Sequence, residues 1–206
     1  SGIPGTVGGA IVGNAGAYGQ SISDCLVRVQ IFDGKKIRWL SKKQCQFVYR
    51  NSIFKEKKGS NWLILRAEFK LNRGDKKELA KKSREIIKIR LQKYDPTLKC
   101  PGSFFKNVLV KEISKKSLKL IDPKKIVNDP SKGRAGGKIP AGYLLESVGA
   151  KGMRVGGIYV ADFHGNLLVN DGHGTYRDVV TIATKLKKLV KAKFGITLEE
   201  EVRYIK

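Results

Sequence analysis

Apolar and polar residues alternate along two stretches of the chain and recur at helical spacing along others. Between Leu26 and Phe32, Val27, Val29 and Ile31 alternate with Arg28 and Gln30. Asp33-Gly34 then turns the chain into Lys36 to Leu40, which predicts a hairpin. Trp62 to Leu71 repeats the two-residue period, with Leu63, Leu65, Ala67, Phe69 and Leu71 on one face and Arg66, Glu68 and Lys70 on the other, a half-buried strand. From Asp75 the period changes. Asp75 followed by Glu78 resembles a helix cap, and Leu79, Ile86, Ile87 and Leu91 keep helical spacing up to Asp95-Pro96.

A domain boundary is placed there, dividing residues 1–93 from 94–206. The second part is predicted to open a short helix at Pro140 and to turn a hairpin across Gly165-Asn166. A long helix then runs from Arg177 to Phe194, in which Val179, Ile182, Ala183, Leu186, Leu189 and Val190 make one stripe and Gly195 supplies the stop. Glu201 to Ile205 reads as a closing strand. Strands and helices are mixed without strict alternation, so the class is α+β.

The 206 residues suffice for one large domain or two small ones. Lys and Arg number 42 against 18 Asp and Glu, a net charge of +24, and 29 of the 42 basic residues lie between Lys35 and Lys132. Lysines outnumber arginines 31 to 11, and such a coat attracts any polyanion without specifying one. Hydrophobic residues at 41% exclude a disordered basic tail, and no apolar run approaches a membrane span. The opening residues lack the features of a signal peptide, so the expected setting is cytoplasmic, without membrane insertion, as a monomer. Cys25, Cys45 and Cys100 lack metal-site spacing, and no disulfide framework is predicted.

Four places hold candidate chemistry. The opening SGIPGTVGGAIVGNAGAYG sets Gly2, Gly5, Gly8 and Gly9 where backbone N–H groups could meet phosphate oxygens, or makes a simple turn before a small-residue helix. Arg50 stands among Phe47, Tyr49 and Phe54, either to clamp an anion or to stack on a ring. Pro101-Gly102-Ser103 could present a hydroxyl from a tight turn. His164 and His173, with Asp162 and Asp171 nearby, fit hairpin-end residues better than a metal site, and no metal is expected.

Taken in order, GIPGTVGGAIVGNAGAYG, CQFVYRNSIFK, PGSFFKN, IPAGYLLESVGAKGMRVGG and FGITLEEEVRYI resemble the UDP-N-acetylenolpyruvoylglucosamine reductase (MurB) family along essentially the whole chain. The resemblance implies the second half of a vanillyl-alcohol-oxidase-type FAD-binding domain in residues 1–93, followed by an α+β substrate-binding domain in residues 94–206. It implies FAD as cofactor, NADPH as hydride donor and UDP-N-acetylglucosamine enolpyruvate as substrate, with an N-terminal FAD-binding segment lacking here.

By motif, Arg50, Ser103 and Glu201 are the expected catalytic residues, and Arg50, Arg90, Asn107 and His164 the expected substrate contacts. Ile3, Pro4, Gly5, Thr6, Gly8, Gly9, Asn14, Gly16 and Ala17 are the expected cofactor contacts. A basic nucleic-acid-binding module and a truncated, non-catalytic remnant are the competing expectations; against the former, the chain carries no zinc spacing, recognition helix or aromatic-basic RNA motif.

Overall fold

The computed structural model describes residues 5–17, 19–93, 97–127 and 137–204. The expected cofactor contacts Ile3 and Pro4, and the end of the expected closing strand at Ile205, lie outside them. The chain divides into two compact units, Ser1–Asp95 and Pro96–Lys206.

In the first unit the glycine-rich opening forms a short helix, α1 (Val7–Val12), capped by Thr6, whose side chain accepts the Gly9 N–H at 3.0 Å. Two short strands follow, β1 (Gly16–Ala17) and β2 (Gln20–Ser21), paired antiparallel. A one-turn helix, α2 (Ile22–Cys25), starts with a reciprocal cap in which Ser21 and Asp24 satisfy each other's backbone. The main sheet is β3 (Leu26–Phe32), β4 (Ile37–Ser41) and β5 (Leu63–Phe69), all antiparallel with β3 in the middle. Ile11, Leu26, Val29, Ile31, Leu40, Cys45, Ile53 and Phe54 make its core. Helix α3 (Lys76–Lys93) closes the unit, with the Asp75 carboxylate accepting the Glu78 N–H at 2.9 Å.

The face expected for β5 holds at Ala67 and Phe69 and is corrected at Leu63, Leu65 and Leu71, the last of which is exposed beyond the strand. Leu63 and Leu65 are exposed, while Ile64, Ala67 and Phe69 pack on the core. The cause is an irregularity in the ladder: Gln30 pairs with Arg66 but the next residue, Ile31, pairs with Ile64, so Leu65 is an extra residue that shifts the inward face by one position.

The second unit is built on a long helix. Its elements are β6 (Val108–Leu109), α4 (Lys115–Leu118), β7 (Lys138–Ile139), α5 (Ala141–Ser147), β8 (Arg154–Val155), β9 (Ile158–Val160), β10 (Leu168–Asn170) and α6 (Tyr176–Phe194). β6 pairs with β7, and β9 lies between β10 and β8, both sheets antiparallel. Thr175 and Asp178 form the reciprocal cap of α6, and Gly195 at φ 68° ends it. Ile182, Ala183, Leu186, Val190 and Phe194 of α6 pack with Leu144 and Leu145 of α5, Ile158 and Val160 of β9, and Phe104 and Phe105.

The expected closing strand from Glu201 does not form in the described residues 201–204. Among the described residues an isolated bridge between Phe105 and Glu200 precedes this segment, and the Glu201 N–H donates to the Phe104 C=O. The ladder stops there because its partner turns away two residues before Phe104, at Gly102, whose φ is 87°.

Candidate functional site

Gly102 sits in the left-handed half of backbone space and presents Ser103, which is exposed, at the head of the Phe104-Phe105 segment. Both phenylalanine side chains are buried and meet edge to face at 5.0 Å. They anchor the segment from below, and backbone bonds hold it on both sides. On one side the Phe104 N–H donates to the Asn166 C=O at 2.9 Å, and Ser103 bridges to Leu167. On the other, the Glu201 N–H donates to the Phe104 C=O and the Lys106 N–H to the Glu199 C=O, each at 2.8 Å. Ser103, the 164–167 turn and Glu201 are thereby gathered into one small region of the second unit.

Asn166 is 2% exposed, and its carboxamide closes a two-bond ring with one residue. Its Oδ1 accepts the Phe105 N–H and its Nδ2 donates to the Phe105 C=O, both at 2.9 Å. The Asn166 N–H donates to His164 Nδ1 at 3.1 Å, so the neutral ring carries its proton on Nε2. Gly165 lies so near α5 that a Cβ there would fall 2.7 Å from the Glu146 side chain. Burial pushes the Glu146 carboxyl up, but the Gly165 N–H, Lys151 and nearby His164 together hold it below its ordinary value.

Asn107 follows the same segment. Its Oδ1 accepts the Ala141 N–H at the first turn of α5 at 3.1 Å, which leaves the donor groups of the carboxamide on Nδ2. Lys106, 13% exposed at its side chain, directs its ammonium to Glu199, and Glu200 pairs with Lys187 at 2.7 Å. Burial raises the Tyr204 phenol to about 12, helped by Glu200.

Arg50 and Arg90 lie in the first unit. Arg50 occupies a tight turn, with Val48 and Asn51 exchanging backbone hydrogen bonds at 3.1 and 3.2 Å, and has a φ of 54°. Its guanidinium lies 5.6 Å from the centre of the Tyr49 ring, and its C=O accepts from Lys55 Nζ at 2.9 Å. Of the two expectations for Arg50, the contact with an aromatic ring is present. Arg90 lies on the half-buried stripe of α3 with Ala80, Ser83 and Ile87.

The glycine segment splits into two groups. At Gly5 no atom lies within 4 Å of a Cβ, and at Gly8 only Thr6 Oγ1, at 3.9 Å, so this end of α1 exposes bare backbone. Gly9 is tied to Thr6, and Ala17 is exposed on β1. Gly16 and Asn14 are accounted for by packing. A Cβ on Gly16 would lie 2.4 Å from the Gln20 C=O, and the buried Asn14 donates to the Val48 C=O at 2.9 Å and accepts from the Ser23 N–H at 3.3 Å. Sequence patterns did not reveal that Asn14 braces the Arg50 turn, because the two are far apart in the chain.

Among the described residues no group of three or more His, Cys, Asp or Glu side chains could hold a metal ion. No described helix is long and apolar enough to cross a membrane.

Comparison with known proteins decides the family. The family model for the UDP-N-acetylenolpyruvoylglucosamine reductase C-terminal domain matches residues 92–205, more than half of the chain. The chain belongs to this family. It is 47% identical to the UDP-N-acetylenolpyruvoylglucosamine reductase of Solibacter usitatus over 205 residues, covering 100% of this chain and 62% of the relative. The protein of that name from Caldanaerobacter subterraneus is 35% identical over 210 residues, covering 100% of this chain and 58% of the relative. Among solved structures, the reductase (MurB) of Thermus caldophilus superimposes with a TM-score of 0.70 at 27% identity, covering 98% of this chain and 61% of the other. The chain therefore spans less than two thirds of the length of each. The fold is the α+β reductase C-terminal fold within residues 92–205.

Proposed function

We propose that residues 96–206 form the substrate end of a flavin-dependent reductase that converts UDP-N-acetylglucosamine enolpyruvate to UDP-N-acetylmuramate in peptidoglycan precursor synthesis. In this reading residues 1–95 are the second half of its FAD-binding domain, and NADPH is the hydride donor. The observation that carries it is the exposed Ser103 on a left-handed glycine turn, locked through Phe104 to Glu201 by a backbone hydrogen bond. Family membership supports the reaction class.

The residues at the start of the chain fit the phosphate end of a dinucleotide: Gly5 and Gly8 leave backbone uncovered, and Thr6 and Gly9 hold the turn. Gly16 and Asn14 support that surface from within. A bound flavin supplies hydride to the β-carbon of the enol ether.

The chain's own groups do the remaining work. Arg50, fixed by Tyr49 and its turn, is the cation for the enolpyruvyl carboxylate, where negative charge grows as the β-carbon gains hydride. Ser103 delivers its hydroxyl proton to the α-carbon, which demands a rigid mount because a weakly acidic donor works only at short range. Glu201, its main chain fastened to Phe104, stabilises the anionic intermediate only as a protonated carboxyl that donates to it. Asn107 Nδ2 and His164 Nε2–H are donors to substrate oxygens, and Arg90 is a further anion contact. A net charge of +24 favours encounter with the diphosphate of the substrate.

NADPH absorbance, followed with and without UDP-N-acetylglucosamine enolpyruvate in the presence of FAD, tests this reading. Consumption of NADPH that depends on the enolpyruvyl sugar supports it. Binding of the sugar nucleotide without NADPH consumption identifies a non-catalytic remnant, and neither binding nor consumption overturns the assignment.

A further inference from the structure

We propose that Asn166 is a positioning residue for the proton-donating turn. The role rests on the reductase reading above. A buried residue with four polar groups around it is stable only if they are satisfied, and Asn166 does this by standing in for a strand. Its side chain pairs with both backbone groups of Phe105, its own C=O takes the Phe104 N–H, and its own N–H reaches His164 Nδ1. Two successive residues of the 103–107 segment are thereby referred to one side chain and one peptide unit.

The consequence lies at the ends of that segment. Ser103 is exposed, follows a glycine with φ 87° and has a backbone bridge to Leu167. The neighbouring Phe104-Phe105 backbone further fixes where it sits, and Asn166 holds that backbone. Asn107, two residues beyond Phe105, carries the same reference to the N-terminus of α5. His164 completes the arrangement, because the bond that fixes its tautomer comes from the Asn166 backbone. The proposed proton donor and both proposed polar substrate contacts of this unit thus share one buried asparagine, and a displacement of about 1 Å at such a mount can cost on the order of 10²-fold in rate.

The test uses the natural full-length protein with Asn166→Asp and Asn166→Ala. The aspartate keeps the shape and the acceptor but cannot donate to the Phe105 C=O, and it serves if the alanine protein folds poorly. Amide deuterium exchange over residues 102–107 is expected to quicken at least about tenfold, with α6 and β10 unchanged. For reduction of the enolpyruvyl sugar, kcat is expected to fall at least about tenfold, while KM stays within about threefold.

Unchanged exchange at Phe105 overturns the proposal, as does a loss of protection spread evenly over residues 96–206, which would mark a merely structural residue. A fall in KM-dependent binding with normal kcat also overturns it. If the parent protein reduces no enolpyruvyl sugar, the reductase reading fails on its own, and the exchange experiment still decides whether Asn166 holds the segment.

Discussion

The Glu201 N–H donates to the Phe104 C=O at 2.8 Å, so the C-terminal acidic segment is fastened to the residue directly after Ser103. Two residues 97 positions apart in sequence thereby share one backbone contact. The bond fixes the main chain of Glu201 independently of what its carboxylate meets, and it explains how an irregular C-terminal segment still presents a defined residue.

Gly102 controls the other side of Ser103. Its φ of 87° is strained for any side chain, although no atom stands within 4 Å of a Cβ there. Gly102→Ala is therefore expected to cost about 1–2 kcal/mol from backbone strain alone, without a clash. Activity should fall further than that, because the strain is relieved by moving Ser103. Denaturant unfolding together with steady-state rates checks this, and a loss of activity no greater than the loss of stability would assign the glycine to the fold only.

Asn14 is expected to matter to the Arg50 turn rather than to be a loose loop residue. It is buried, and removing its carboxamide takes one acceptor from the Ser23 N–H and leaves the Val48 C=O with the Asn51 N–H. Asn14→Ala should cost about 1–3 kcal/mol, to which its φ of 44° adds. Both tryptophans, Trp39 and Trp62, lie in residues 1–95, so their fluorescence during unfolding reports on the affected unit.

Much of the fold was legible in the sequence, and the exceptions share a cause. Helix α6 followed from its apolar stripe and Gly195, both local signals, whereas its Thr175–Asp178 cap was seen only in the structure. The inward face of β5 was misread because the extra residue, Leu65, is defined by the register with β3 and leaves no mark on β5 itself. The closing strand was misread because its partner ends at Gly102, far away in the chain. The site behaved alike. Ser103 and Asn107 stood out from their motif, but Asn166, at a Gly-Asn turn before the apolar Leu167-Leu168-Val169, looked like an ordinary turn residue until its partners at Phe105 were in view.

Asp33 is expected to give the hairpin a pH-dependent component. The Lys36 N–H, the Arg38 guanidinium and the Lys35 N–H lower its pKa from 3.8 to about 2. A carboxyl held lower in the folded than in the unfolded state adds stability above the unfolded value. That contribution is lost as pH falls from about 4 through about 2. Asp33→Asn should flatten this part of the acid-unfolding curve, read by tryptophan fluorescence, and leave the curve unchanged near neutrality apart from a constant offset. A curve with the same slope below about pH 4 would show that the contacts do not shift the carboxyl.

The most direct measurement of the account uses Ser103→Ala in the natural full-length protein, with flavin absorbance followed by rapid mixing. A hydroxyl that protonates the α-carbon has no part in reduction by NADPH, so that half of the reaction should proceed at the parent rate. Reoxidation by UDP-N-acetylglucosamine enolpyruvate should slow by at least about 10²-fold, the lower range for a positioned general acid. Reoxidation of the alanine protein at the parent rate would contradict the account and reduce Ser103 to a turn residue.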